Sequence, residues 1–291
     1  MNKVAIIIVN WNTNQYLADC IKSLANLPQT DIDLIDEVIV VDNASSDKSI
    51  IKAKQVVGEN INKPRVRFVQ NEKNIGFAAA NNIGIERVSE KEENPHILLL
   101  NPDVVVSPSM LSGLTNVLNN NEKAGIVGAK LIGNDGALQP SVRHFPTKKE
   151  MVLYMLKLGS SVQEENIDYD VEQKVDQVMG AAFLIRNELL DSVGNLDEDF
   201  FLWFEEVDYC KRAINKEWEV WYTPSAQCTH YGGVSFGQLI GFNKTMPWLK
   251  SMLTYARKHM DSSFVSLLYL LSGINLILSI PASIVHLAKR K

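Results

Sequence analysis

Apolar residues in the first half of this chain come in short, nearly unbroken runs, at 4–9, 37–41, 65–69 and 97–100. Runs of this length without polar alternation predict strands buried on both faces. Between them the spacing changes: Tyr16, Leu17, Cys20, Ile21 and Leu24 fall on one helix face, and 77–88 and 109–119 carry helical patterns too. This alternation predicts an α/β fold, a mainly parallel, doubly wound sheet flanked by helices. The pattern weakens over 133–177, where "GNDGALQPSVRHFPTKKE" predicts turns with short strands and "SSVQEENIDYDVEQK" a polar, mobile surface loop. Order returns with a buried strand at 178–186, a helix at 205–215 and short strands at 219–222 and 226–230.

The C-terminal segment differs in kind. Residues 262–288 hold no Asp, Glu, Lys or Arg across 27 positions, a length able to cross a bilayer. Against a simple crossing, Pro281 interrupts the run, Ser272, Asn275, Ser279, Ser283 and His286 recur as one polar stripe, and Arg257-Lys258 and Lys289-Arg290-Lys291 flank both ends. These features favour one or two amphipathic helices lying in a membrane interface over a spanning or a soluble packing helix. The chain is therefore divided into an α/β domain at 1–240 and a basic, apolar helical tail at 241–291.

Composition adds limits. At 46% apolar and 22% charged residues, 291 residues can build a core without covalent staples. Cys20, Cys210 and Cys228 are odd in number and form no C-x-x-C pair, which argues against a disulfide framework or zinc site and for a reducing compartment. The start, "MNKVAIIIVNWN", lacks a signal-peptide cleavage pattern. The expected location is cytoplasmic, peripheral or monotopic on the inner face of the cell membrane. The net charge of −5 conceals an asymmetry: residues 241–291 carry seven Lys and Arg against one acid, which leaves −11 on residues 1–240. An acidic body argues against broad nucleic-acid binding, and a basic tail suits an anionic membrane. The oligomeric state stays open, with a homo-oligomer compatible.

Three polar clusters stand at predicted strand ends: Asn10-Trp11-Asn12, Asp42-Asn43 and Asn101-Pro102-Asp103. Open α/β sheets bind ligands at the carboxyl ends of their strands. Asp103 follows the apolar run "HILLL" and needs a partner, since an unpaired buried carboxylate is costly. A helix cap, an arginine or a metal ion would each serve.

The segments "IIIVNWN", "VIVVDNASSDKS", "NIGFAAANNIGI", "LLLNPDV", "VMGAAFLIR", "DEDFFLWFEEVDYCKR" and "YTPSAQCTHYGGVS" occur in this order. Together they resemble bacterial family 2 glycosyltransferases, in the rhamnosyltransferase-like branch that builds cell-surface polysaccharides such as O-antigen. The resemblance covers about residues 3 to 236 and implies a GT-A fold, a nucleotide-sugar donor, a divalent metal (Mn²⁺ or Mg²⁺) and inversion at the anomeric carbon.

Residue by residue, the resemblance makes Asp103 a metal ligand, the D-x-D motif being shortened here to Asn101-Pro102-Asp103, and His230 a second ligand. It makes Glu206 the general base, at a position where the family often carries Asp, within the acidic cluster Glu205-Glu206-Val207-Asp208. On a helix Glu205 and Asp208 share a face and Glu206 points elsewhere. Asp42 would read the nucleotide base in a pocket with Val9, Asn10 and Trp11. Asn74 and Gly76 would lie near the ribose or phosphates, although the small residues of "GFAAANN" also suit close helix–sheet packing. Gly180 would leave room for the sugar, and Trp203 would stack on an acceptor ring or sit in the core. The family's usual Val-Gly-Gly-Phe-Asp-Glu appears as Val193-Gly194-Asn195-Leu196-Asp197-Glu198, which makes acceptor identity the least transferable feature. The implied reaction moves one sugar, L-rhamnose from dTDP-rhamnose or another sugar from a UDP or GDP donor, to a lipid-linked saccharide. The rival is a non-catalytic nucleotide-sugar-binding scaffold.

Overall fold

In the computed structural model residues 3–58, 64–89, 94–158, 167–234 and 242–288 are described, with 242–244 and 277–288 as backbone only. The first half runs β1 (Val4–Asn10), α1 (Tyr16–Ala25), a short α2 (Gln29–Ile32), β2 (Ile35–Asp42), α3 (Ser49–Gly58), β3 (Val66–Gln70), α4 (Phe77–Ser89), β4 (His96–Leu100), β5 (Val104–Val106) and α5 (Met110–Asn120). The second half runs β6 (Ala124–Ile132), β7 (Leu138–Gln139), β8 (Val142–Arg143), α6 (Lys148–Met155), β9 (Gln173–Val175), β10 (Gln177–Val178), β11 (Ala182–Ile185), α7 (Asn187–Val193), α8 (Glu205–Asn215), β12 (Glu219–His230), α9 (Phe242–His259) and α10 (Ser262–Ala288).

One large sheet carries the order β3-β2-β1-β4-β11-β6-β12-β5. Strands β3, β2, β1 and β4 are mutually parallel, β11 runs antiparallel to both β4 and β6, and β12 is parallel to β6 and antiparallel to β5. The α/β layering follows the alternation in sequence, and the sheet becomes mixed only in its second half. All seven residues of β1 are buried. Its side chains divide by the period of two: Val4, Ile6 and Ile8 join one core layer with Leu17, Cys20, Ile21 and Leu24 of α1, while Ala5, Ile7 and Val9 join the other with Ala78, Ala80, Ile85 and Val88 of α4. Ala78 and Ala80 are thus spent on close packing. A Cβ added at Gly84 would lie 2.5 Å from Ile7 Cγ2, so α4 sits directly on β1.

Several expectations are corrected. The segment 178–186 is two strands, because the chain breaks at Met179–Ala181, where Met179 N–H bonds Ser141 O and Ala181 O accepts from Asn101 N–H. Residues 219–230 form one strand that slips register between Thr223 and Gln227. Helix α6, expected as turn, is started by a capping box in which Thr147 Oγ1 accepts from Glu150 N–H and Glu150 accepts from Thr147 N–H. The predicted loop 160–174 lies outside the described residues up to 166. From 167 onward it is docked, with Tyr169 packed edge-on against Tyr222 and β9 paired to β12.

Helices α9 and α10 pack with α6 and the 200–207 segment around Met155, Phe200, Phe204, Met252, Tyr255 and Leu268. Asn275, expected in the polar stripe of an amphipathic helix, is buried and donates to Tyr154 O and Met155 O, which closes the C-terminal end of α6. The remaining stripe residues Ser279, Ser283 and His286, the terminal Lys289-Arg290-Lys291 and the expected boundary at 240/241 lie outside the side chains or residues described. Among the described residues no helix is long and apolar enough to cross a membrane.

Candidate active site

The carboxyl ends of β1, β2, β4 and β12 surround a cavity of about 390 Å³. Val9, Trp11, Asn43, Asn74, Gly76 and Phe77 line one end, and Asn101, Pro102, Asp103 and His230 the floor. Arg143, Gly180, Trp203, Glu205 and Glu206 complete its lining. Positions from eight separate stretches of sequence therefore meet at one sheet edge.

At the floor, Asp103 and His230 are both about 6% exposed. They are brought together by the antiparallel pairing of β5 with β12, which opposes Val104 and His230, and by a Tyr231 N–H bond to Asp103 O. His230 Nε2 lies 3.4 Å from Asp103 Oδ1, and His230 Nδ1 lies 2.8 Å from Gln139 Oε1. His230 is thus positioned through Nδ1 by Gln139, while its Nε2 lies toward Asp103 and 3.4 Å from Asn101 Nδ2. A histidine oriented through its other nitrogen beside a carboxylate is the usual arrangement of a metal ligand. Among the described residues no cluster of three or more His, Cys, Asp or Glu exists. This pair thus fits an ion completed by phosphate oxygens and water. Gly232 and Gly233, at φ +70° and +72°, turn the chain away immediately beyond.

Trp203, which lines the cavity, and Phe204 both occupy the left-handed region, at φ +64° and +70°, directly before α8. Such residues cost about 1–3 kcal/mol each and persist only where surroundings hold them. Here Ser251 Oγ on α9 donates to Leu202 O, and Phe204 packs against Trp248 and Tyr255. The turn aims the first two residues of α8, so Glu205 and Glu206 both face the cavity. Oε2 of each is buried without a hydrogen-bond partner. Burial raises the pKa of both above the usual carboxylate range, and Glu206 raises Glu205 further, whereas hydrogen bonds to backbone and the charge of Arg143 partly offset the rise at Glu206.

The expected pairing of Glu205 with Asp208 on one working face is corrected. Asp208 is fully buried outside the cavity and bonded by Arg212 Nε at 2.7 Å and His259 Nε2 at 2.8 Å. Burial alone would raise its pKa, but these two partners outweigh that and hold it below the usual range. Asp208 ties α8 to α9.

Asn10 and Asp42, expected in the nucleotide pocket, lie beneath it. Asn10 Nδ2 donates to Asp42 Oδ1, Ser45 Oγ and Ser49 Oγ, and Asp42 Oδ2 accepts from Ser45 N–H and Gln70 Nε2. Asn43 takes the pocket-facing position instead, with its amide bonded to Asn74 Oδ1 and Gly76 O. Gly76 has φ +95°, and a Cβ there would meet Phe201 O at 2.7 Å, so this glycine permits a turn under Phe201. A Cβ on Gly180 would reach only Glu206, at 3.8 Å, so Gly180 keeps space open beside that carboxylate. Gln139 and Arg143 carried no sequence signal, because each acts through partners far along the chain.

Residues 5–194 match the family model described as Glycosyl transferase family 2. The chain belongs to glycosyl transferase family 2. Curated relatives of this glycosyltransferase include an N-acetylglucosaminyl-diphospho-decaprenol L-rhamnosyltransferase of Mycobacterium tuberculosis, 24% identical over 80% of this chain and 77% of that protein. Another is the rhamnosyltransferase WbbL of Escherichia coli K12, 29% identical over 65% of this chain and 73% of that protein. The chain is similar in fold to GalNAc-T7, solved with UDP, GalNAc and Mn²⁺ (TM-score 0.59, 14% identity, 79% of this chain and 44% of that one). It is similar also to the mannosyltransferase PcManGT of Pyrobaculum calidifontis, solved with GDP-Man and Mn²⁺ (TM-score 0.59, 12% identity, 99% and 75%). These likenesses establish the GT-A fold for this family 2 glycosyltransferase.

Proposed function

We propose that this glycosyltransferase is an inverting, metal-dependent enzyme that moves L-rhamnose from dTDP-rhamnose to a lipid-linked saccharide in cell-surface polysaccharide synthesis. The observation that supports the reading is that Asp103, His230 and Glu206 line one cavity, with His230 3.4 Å from Asp103. The two rhamnosyltransferase relatives support the sugar, and the decaprenol-linked acceptor in the mycobacterial protein's name supports the lipid carrier.

Asp103 and His230 would hold a divalent ion, which would neutralise charge on the departing diphosphate. Val9, Trp11, Asn43 and Asn74 would bind the nucleoside, and Gly180 would admit the sugar. Glu206 accepts the proton of the acceptor hydroxyl while that oxygen bonds to the anomeric carbon and the carbon–phosphate-oxygen bond breaks, its electron pair leaving with the nucleoside diphosphate. A base raised by burial binds the proton more firmly.

Membrane association through the C-terminal helix belongs to the same proposal. Leu267, Leu270 and Ile274 form an exposed apolar stripe on α10, opposite the face that Phe264, Leu268 and Asn275 bury. A lipid-linked acceptor is reached at a membrane surface.

Purified protein is assayed for transfer and donor hydrolysis with dTDP-rhamnose, UDP- and GDP-sugars, with and without Mn²⁺. Transfer with dTDP-rhamnose, dependent on metal and yielding the inverted anomer, supports the proposal. Another donor would replace the sugar, and binding of donors without turnover would favour the scaffold.

A further inference from the structure

A second cavity of about 200 Å³ adjoins the first and shares with it only Arg143, Trp203 and Glu206. It is bounded by His144, Glu150 and Trp248 and contains neither Asp103 nor His230. Glu206 can therefore be approached from a side that the metal-binding wall does not reach. Arg143 is the single lysine or arginine among the described residues lining either cavity. Its Nε is buried without a hydrogen-bond partner. The other basic side chains nearby are committed: His144 Nε2 lies 3.3 Å from Glu150, Lys211 stands over the Phe145 ring, and Arg212 is held by Asp208. The pairing of β8 with β10, with Arg143 opposite Gln177, fixes the backbone that presents this guanidinium.

Resting on the lipid-linked acceptor of the proposed function, we infer that Arg143 is a specificity-determining residue that binds the phosphate of the acceptor's diphospho-lipid in the second cavity. The donor's diphosphate has its own site at Asp103 and His230. An anion held in the second cavity belongs to the molecule whose hydroxyl meets Glu206. A guanidinium binds phosphate through two parallel N–H donors, a geometry lysine lacks. Glu150 at the rim disfavours anions that do not reach Arg143.

The test compares the full chain with Arg143→Gln and Arg143→Lys, using N-acetylglucosamine on a diphospho-prenol and on a neutral prenyl glycoside of equal length. The wild type should use the diphospho acceptor with a KM at least tenfold lower. Arg143→Gln should erase that preference by raising the KM of the diphospho acceptor to that of the neutral one while leaving donor KM unchanged, and Arg143→Lys should fall between; any change in kcat from removing the charge beside Glu206 should be shared by both acceptors. A second arm needs no turnover: farnesyl diphosphate binding in EDTA, followed by tryptophan fluorescence, should weaken at least tenfold in Arg143→Gln. An unchanged ratio of KM between the two acceptors, a raised donor KM, or unchanged farnesyl diphosphate binding overturns the inference. If the wild type glycosylates neither acceptor yet the binding arm holds, the acceptor reading fails and the assignment of Arg143 as a diphosphate-binding residue stands.

Discussion

His230 Nε2 faces Asp103 Oδ1 across 3.4 Å while Gln139 holds the opposite ring nitrogen. Gln139→Leu should therefore lower the apparent Mn²⁺ affinity about 10–100-fold, and His230→Ala should lower it further with the fold intact. Titration of transfer against Mn²⁺, with a melting curve as control, checks both. Unchanged metal dependence in His230→Ala would remove the metal assignment.

Glu206→Gln should reduce transfer about 10²–10⁴-fold, while donor binding measured by thermal shift survives. Wild-type transfer should rise with pH to a midpoint above the ordinary glutamate value of 4.5, because burial raises Glu206. Near-normal turnover in Glu206→Gln would exclude it as the base.

Glu205 contributes to the pH dependence of stability with a definite sign. Its folded pKa is raised above 4.5, so its favourable contribution is complete below that value and is lost as pH rises through the folded pKa. Glu205→Gln should accordingly gain Tm relative to wild type as pH increases from about 4.5 toward neutrality. A gap that shrinks over this range would contradict the assignment.

Asp208 has the opposite sign. Its folded pKa lies below 3.8, so its contribution is present above that value and lost as pH falls through the folded pKa. Asp208→Asn should cost about 3 kcal/mol at neutral pH, as breaking a buried pair does. Its melting gap to wild type should close on acidification. A loss of activity at unchanged stability would instead return Asp208 to the catalytic group.

Gly180→Leu should place a side chain beside Glu206 and abolish transfer at nearly unchanged Tm, since only open space surrounds that position. Gly76→Ala should instead lower Tm, because its left-handed backbone and Phe201 O leave no room for a Cβ. The reverse pattern would mean that the roles of the two glycines are exchanged.

Sequence by itself determined the strand–helix alternation of the first half, the boundaries of α8, and the polar clusters at strand ends, because hydrophobic period and position depend on local spacing. Thr147 and Glu150 could have announced α6 as well, since a capping box is local. Tertiary structure alone decided which carboxylates line the cavity. Glu205, Glu206 and Asp208 are three acids within four positions, and the left-handed turn at Trp203-Phe204 sends two into the cavity while His259 and Arg212 hold the third away. It also decided that Asn43 faces the pocket while Asn10 and Asp42 support it from below, and that Gln139 and Arg143 belong to the site. These outcomes depend on which distant segments are packed side by side, and side-chain hydrogen bonding across such separations leaves no periodic trace in the chain.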